Sequence, residues 1–156
     1  MAGKYFSGGE KLQAVLAELS KKVTEPATLR AGFLEGSTYP DGTSVPMVAA
    51  INELGRMVYS EAGNYYQMPR PFFRGMISKK SPEWGGQLGK LLVANDYDAK
   101  RSLGLMGETI KGELQESIAQ FSDVPLAPAT IKAKGFDKQL VDTGHMMNSV
   151  GAEVAE

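Results

Sequence analysis

At 156 residues, with 42% hydrophobic and 22% charged residues, the chain has the size and composition of one globular domain with a real core, not of a disordered segment. Its formal net charge of −1 supplies no bulk attraction to nucleic acid or anionic lipid. The absence of cysteine excludes a disulfide framework, a thiolate zinc site and a cysteine nucleophile.

No apolar run approaches a membrane span, and Met1-Ala2-Gly3-Lys4-Tyr5-Phe6 lacks a signal peptide's apolar core. The expected location is therefore a reducing cytoplasm, or a particle assembled there. Eighteen glycines, most of them between periodic segments, predict many turns.

Ser7 and Glu10 stand at capping-box spacing, and Leu12, Val15, Leu16, Leu19 and Val23 follow at helical spacing up to Pro26. This predicts a helix over 8–24 covering a sheet. Thr28 to Leu34 alternates, with Leu29, Ala31 and Phe33 on one side, and reads as a half-buried strand. A turn at Pro40-Asp41-Gly42 follows. The glycine-containing loop 35–43 has no lysine and no Gly-Lys-Ser/Thr ending, so it is a poor phosphate loop. Thr43 or Ser44 caps a helix that carries Val45, Val48, Ala49, Ile51 and Leu54 and ends at Gly55. Met57-Val58-Tyr59 and Tyr65-Tyr66 flank a glycine-containing loop and predict a β-ribbon.

Met68-Pro69-Arg70-Pro71-Phe72-Phe73-Arg74 is the organising stretch. Its prolines bias Met68 and Arg70 toward extended backbone, and Pro71 suits a first helical turn. The expected form is an extended arm ending in a helix. One reading is a buried aromatic lock between two elements, with Pro69, Pro71, Phe72 and Phe73 as the arm's anchor; the other, compatible with it, has Tyr65, Tyr66, Met68, Arg70 and Arg74 facing another chain. A short helix over 74–80 is expected next, then a second start where Ser81 caps and Pro82 takes the first helical position. Asn95 to Asp98 breaks the pattern. From Ala99, the stripe Leu103, Met106, Ile110, Leu114, Ile118 and Phe121 predicts a helix of about 22 residues, the spine of the fold. Gly104, Gly107 and Gly112 within it suggest close packing. Pro125 and Pro128 punctuate a connector, and Pro128 to Lys134 has room for one or two helical turns. Thr143 and Gly144 open a one-turn segment with Met146 inward and His145 toward solvent, closed by Ser149. Val150, Ala152 and Val154 alternate as a strand expected to pair with the first. No interior linker divides 1–156 into separate domains.

Chemistry is sparse in this pattern. His145 is the only histidine, and no spacing selects Asp142 or Asp137 with Ser149 as its triad partners. Asp96 and Asp98 lack the EF-hand pattern. Lys79-Lys80 and Lys132 with Lys134 read as solvated faces. No catalytic, cofactor-binding or metal-ligating residue is assigned.

Arg70-Pro71-Phe72-Phe73-Arg74, followed by Leu140-Val141-Asp142-Thr143-Gly144-His145-Met146-Met147-Asn148-Ser149-Val150, resembles the tail-completion or neck proteins of tailed bacteriophages, also described as virion morphogenesis or minor tail proteins. The likeness takes in the strand at 29–34 and the helix at 45–55, and covers the chain from about residue 10. Met68 stands where the family's arm has a further proline, and Met146 where it has leucine. The resemblance implies an α+β fold: a small antiparallel sheet packed against several helices, including one long helix in the C-terminal half, with projecting loops or a ribbon. It implies a structural virion protein of the head–tail junction with no enzymatic activity and no cofactor. The expected assembly is a homo-oligomeric ring, a hexamer, that touches tail-tube or tail-terminator and head-closure or connector proteins. DNA would only pass through its channel, and no membrane is involved. A tail-terminator ring capping the tube is the alternative within this class. A nucleic-acid-binding or regulatory module using the lysine pairs is a more distant one.

Overall fold

A computed structural model describes residues 8–24, 26–124, 132, 135, 140 and 144–155. Among these the fold is α+β, with five helices and two small antiparallel sheets. The order is α1 (Gly9–Thr24), β1 (Thr28–Phe33), α2 (Val45–Leu54), β2 (Arg56–Val58), β3 (Tyr65–Gln67), α3 (Phe72–Ala94), α4 (Ala99–Gln120), α5 (His145–Asn148) and β4 (Val150–Ala155).

The two longest helices form an antiparallel hairpin. Asn95 ends α3 by donating its backbone N–H to the carbonyls of Leu91 and Leu92. Asp98 then caps α4, its side chain accepting from the Arg101 N–H at 2.9 Å. Two cross-links hold the register: the Trp84 indole N–H donates to Glu113 at 2.9 Å, and the Ser117 hydroxyl donates to the Phe72 carbonyl at 2.7 Å. The other side of α4 lies on the sheet made by β1 and β4, whose register runs from Thr28 opposite Ala155 to Phe33 opposite Val150. The terminal strand thus pairs with the first, as the alternation at 150–154 predicts.

Side-chain period explains how the layers meet. Leu29 and Ala152 come from the sheet face that meets α4, close to Gly107. A Cβ at Gly107 would sit 2.8 Å from Leu29 Cδ1 and 3.1 Å from Ala152 Cβ, so this glycine sets the helix–sheet spacing. Gly104 and Gly112 have open space around them and set nothing. The core gathers Val45 and Ala49 of α2, Phe72 and Met76 of α3, and Leu114 and Ile118 of α4, together with Leu140, Met146 and Val150.

Three expectations are corrected. Residues 72–94 form one helix rather than two, and it continues through Pro82. Ser81-Pro82 has the form of a helix start, but packing along α4 offsets the missing backbone hydrogen bond. Second, α1 forms over nearly the expected span but is not a buried cover for the sheet: none of its residues is buried. Third, close packing at a helical glycine holds for Gly107 alone. The proposed caps Ser7 and Thr143, and the turns expected over 128–134, lie outside the described residues apart from Lys132.

Candidate interaction surface

The ribbon and arm are built on the C-terminal end of α2. Ser44 caps that helix, and Gly55 closes it with a φ of 74°. A Cβ at Gly55 would lie 2.6 Å from the Gln67 carbonyl and 3.0 Å from the Tyr66 hydroxyl, so only glycine lets the returning strand come this close. Strand β2 pairs with β3 in the register Arg56 to Gln67, Met57 to Tyr66 and Val58 to Tyr65. Ser60 and Gly63 close the loop between them through hydrogen bonds of 2.7 and 3.0 Å.

Asn52 and Glu53, adjacent residues of α2, then hold the arm. The Asn52 backbone carbonyl accepts the Arg70 N–H at 2.7 Å, and its side-chain oxygen accepts an Arg70 guanidinium N–H at 3.1 Å. Burial pushes the Arg70 pKa down, though not far enough to discharge a guanidinium. Glu53 is 8% exposed and does more. Its carboxylate accepts the backbone N–H groups of Phe73 at 2.9 Å and Arg74 at 3.1 Å, and the Arg74 Nε–H at 2.8 Å. The Arg74 guanidinium also donates to the Glu53 carbonyl at 3.1 Å. Pro71, at the cap position of α3, makes no side-chain cap bond, so a carboxylate from another helix satisfies the orphan amides and complements the dipole.

The four anchor residues and the five interface candidates therefore differ in kind. Phe72 is buried and meets Phe33 edge-on at 6.2 Å, and Phe73 lies against Gly32. Pro69 and Pro71 are half-buried beside them. Arg70 and Arg74 bind their own chain, although Arg74 keeps 58% of its side chain in solvent. Tyr65, Tyr66 and Met68 are each more than half exposed, as is Tyr59. Strand alternation sends Tyr65 and Tyr66 to opposite faces of the ribbon. A partner using both must grip the ribbon rather than lie along one side.

The C-terminal turn is structural. Gly144 takes the left-handed φ of 76° ahead of α5, Met146 enters the core, and the Ser149 hydroxyl donates to the His145 carbonyl at 2.8 Å. The His145 ring bonds the Thr38 carbonyl at 2.8 Å and stacks on Tyr39 at 4.8 Å, which ties this turn to the loop before α2. Ser149 thus addresses a carbonyl rather than the imidazole, while Asp137 and Asp142 lie outside the described residues. Lys79 and Lys80 share a groove with Glu113, Glu116 and Asp123, an environment of mixed charge. Among the described residues no group of three or more His, Asp or Glu is placed to hold a metal ion, and no helix is long and apolar enough to cross a membrane.

The chain matches no family model, no curated protein and no solved structure. Geometry and sequence pattern carry the functional reading alone. The residue that sequence reasoning passed over is Glu53. Its signal was there: a carboxylate in the last turn of a helix opposes that helix's own dipole, so its presence implies a cationic or N–H partner elsewhere.

Proposed function

We propose that the protein is a structural component of the head–tail junction of a tailed bacteriophage, assembling as a closed homo-oligomeric ring that completes the tail or neck and allows head and tail to join. One observation carries this beyond the motif resemblance. The arm is secured by Asn52, Glu53, Phe72 and Phe73, while Met57, Tyr59, Tyr65 and Met68 stand outward around the ribbon and Tyr66, whose hydroxyl reaches back to Gly55, keeps about half its surface in solvent. Tyrosine and methionine are residue types that interface cores favour. A two-stranded ribbon tied to the body only at its α2 end covers little of its own surface, so a partner that closes on it adds stability. In a ring, one surface meets a different surface of the next copy, so every subunit satisfies the same exposed ribbon.

The experiment is replacement of Tyr65 and Tyr66 together by alanine, followed by purification of particles. Unchanged thermal unfolding with reduced incorporation into particles is expected. Undiminished incorporation overturns the reading. Electron microscopy of particles made without the protein then fixes the role. Tails of normal length that fail to join heads mean completion, whereas overlong tubes reassign it to tube termination.

A further inference from the structure

Local sequence and tertiary packing disagree along one stretch of α3. Ser81 and Pro82 have the form of a helix start, yet α3 runs through them unbroken. Pro82 offers no N–H to the Ser78 carbonyl, and Gly85, Gly86 and Gly89 follow closely. Proline and glycine are the two residues least favourable inside a helix. Nothing in the fold calls for these glycines: a Cβ at any of the three would meet no neighbouring atom within 4 Å, and none has a positive φ. Burial is lopsided as well. The buried residues of α3 are Phe72 and Met76, both before Ser81, and Trp84 is the residue of 82–94 that reaches the main core. Among the described residues, one side-chain hydrogen bond joins that half to α4, from the Trp84 indole to Glu113 at 2.9 Å. Gln87 Oε1 is buried there with no hydrogen-bond partner among the described residues. At the far end the chain turns through Asp96 and Tyr97, with left-handed φ values of 51° and 61° that are strained for residues carrying a Cβ.

We infer that residues 82–94 form a strap that unwinds from α4 as a unit, hinged at Ser81-Pro82, while residues 72–80 stay in the core and Asp98 keeps its cap on α4. Pro82 puts the break where the helical hydrogen-bond ladder is already interrupted, and the glycines gain the most backbone freedom on leaving the helix. Opening hydrates Gln87 and releases Asp96 and Tyr97 from the left-handed region. Against these stand the half-burial of Trp84, Leu88, Leu91 and Leu92 and the bond from Trp84 to Glu113. The base of the same hairpin shows the contrast. There Glu53 accepts the first amides of α3, Ser117 bonds to the Phe72 carbonyl, and Phe72 and Met76 are buried. A helix held by packing and opposed by its own local code is the part of a fold that opens short of global unfolding. Segments that move in binding and assembly are drawn from that end of a molecule's stability range. A neighbour packed close against the glycines would account for their size, but not for the proline, the strained turn and the unpartnered glutamine together. The strap does not depend on the function proposed above, since it is built from contacts within one subunit.

Trp84 is the single tryptophan, so its emission reports on the strap directly. In a urea titration of the full chain, Trp84 fluorescence is expected to change at lower denaturant than the far-ultraviolet circular dichroism of the helices as a whole. Coincident transitions overturn the inference. Native-state hydrogen exchange gives a second reading: protection factors over 83–94 should lie roughly tenfold or more below those over 106–118 of α4. Equal protection in the two segments overturns it too. Gly85→Ala, Gly86→Ala and Gly89→Ala combined fit the open space around those positions, so the variant should fold. It should draw the two urea transitions together and narrow the gap in protection. Transitions that stay as far apart in the variant as in the parent overturn the hinge and leave the glycines to a close-packed neighbour.

Discussion

Glu53 concentrates more of the arm's energetics than any other described side chain, and the consequences differ between the two members of its ion pair. Glu53→Ala leaves the Phe73 and Arg74 amides without acceptors in a half-buried site, which costs about 2–3 kcal/mol in urea unfolding. Arg74→Ala removes a side chain that is 58% in solvent, so screening and side-chain entropy hold its cost to about 0.5 kcal/mol. A loss at Arg74 equal to that at Glu53 would mean that the charge pair, not the helix cap, is the stabilising contact. Gly55→Ala is expected to be as damaging as Glu53→Ala. It combines a left-handed φ with a Cβ 2.6 Å from a backbone oxygen that cannot move without shifting β3. Asp41 shows a milder residue-scale effect. The Thr43 N–H, then the Thr43 hydroxyl, hold its carboxyl below the ordinary carboxylate range. A depressed folded-state pKa stabilises the turn above the unfolded value, and the contribution disappears as pH falls through the folded one. Asp41→Asn should therefore remove an acid-side change in Thr43 amide exchange.

Between elements, the glycines of α4 separate packing from propensity. Gly107→Ala should destabilise by about 1–3 kcal/mol, because Ala152 Cβ is fixed to the backbone of β4 and cannot yield. Gly112→Ala, with open space around it, should stabilise by up to about 1 kcal/mol through helix propensity. Matching signs from the two variants in chemical denaturation would contradict the helix–sheet contact described. The same pair shows what can be read from a sequence. The periodicities of Leu103 to Ile118 and of Val150 to Val154 disclose α4 and the closing strand, because a buried face must repeat at its element's period. Pairing of that strand with β1 was legible for the same reason: two half-buried alternating segments each need a covered face. Which of the three glycines meets a neighbour was open to the same count, since Gly107 lies four residues after Leu103 and falls on the stripe while Gly112 lies opposite; the pattern does not say that the sheet, rather than α3, faces it. Pro82 misled because a start signal is local, whereas the helix is continued by packing all along α4. Arg70 and Arg74 carried the right composition for an interface. Their partners Asn52 and Glu53, some twenty residues earlier, were visible only once α2 and the arm lay side by side.

For the molecule as a whole, the division between core and α1 makes a claim about folding. Every residue of the main core falls between Val45 and Val150, and none belongs to α1. Leu12→Gln, Leu16→Gln and Val23→Gln combined should therefore leave the fold's stability almost untouched. Glutamine has nearly leucine's helix propensity, so α1 keeps its intrinsic tendency to form and only the stripe is lost. The urea midpoint and slope of the triple variant at low concentration should match those of the parent, because the surface exposed on unfolding is nearly the same. The match should hold at every protein concentration, because no residue of the stripe belongs to the subunit's own core. A midpoint that falls equally at all concentrations would place the stripe against its own body in solution. The apolar surface of α1 would then be a poorly buried part of the subunit.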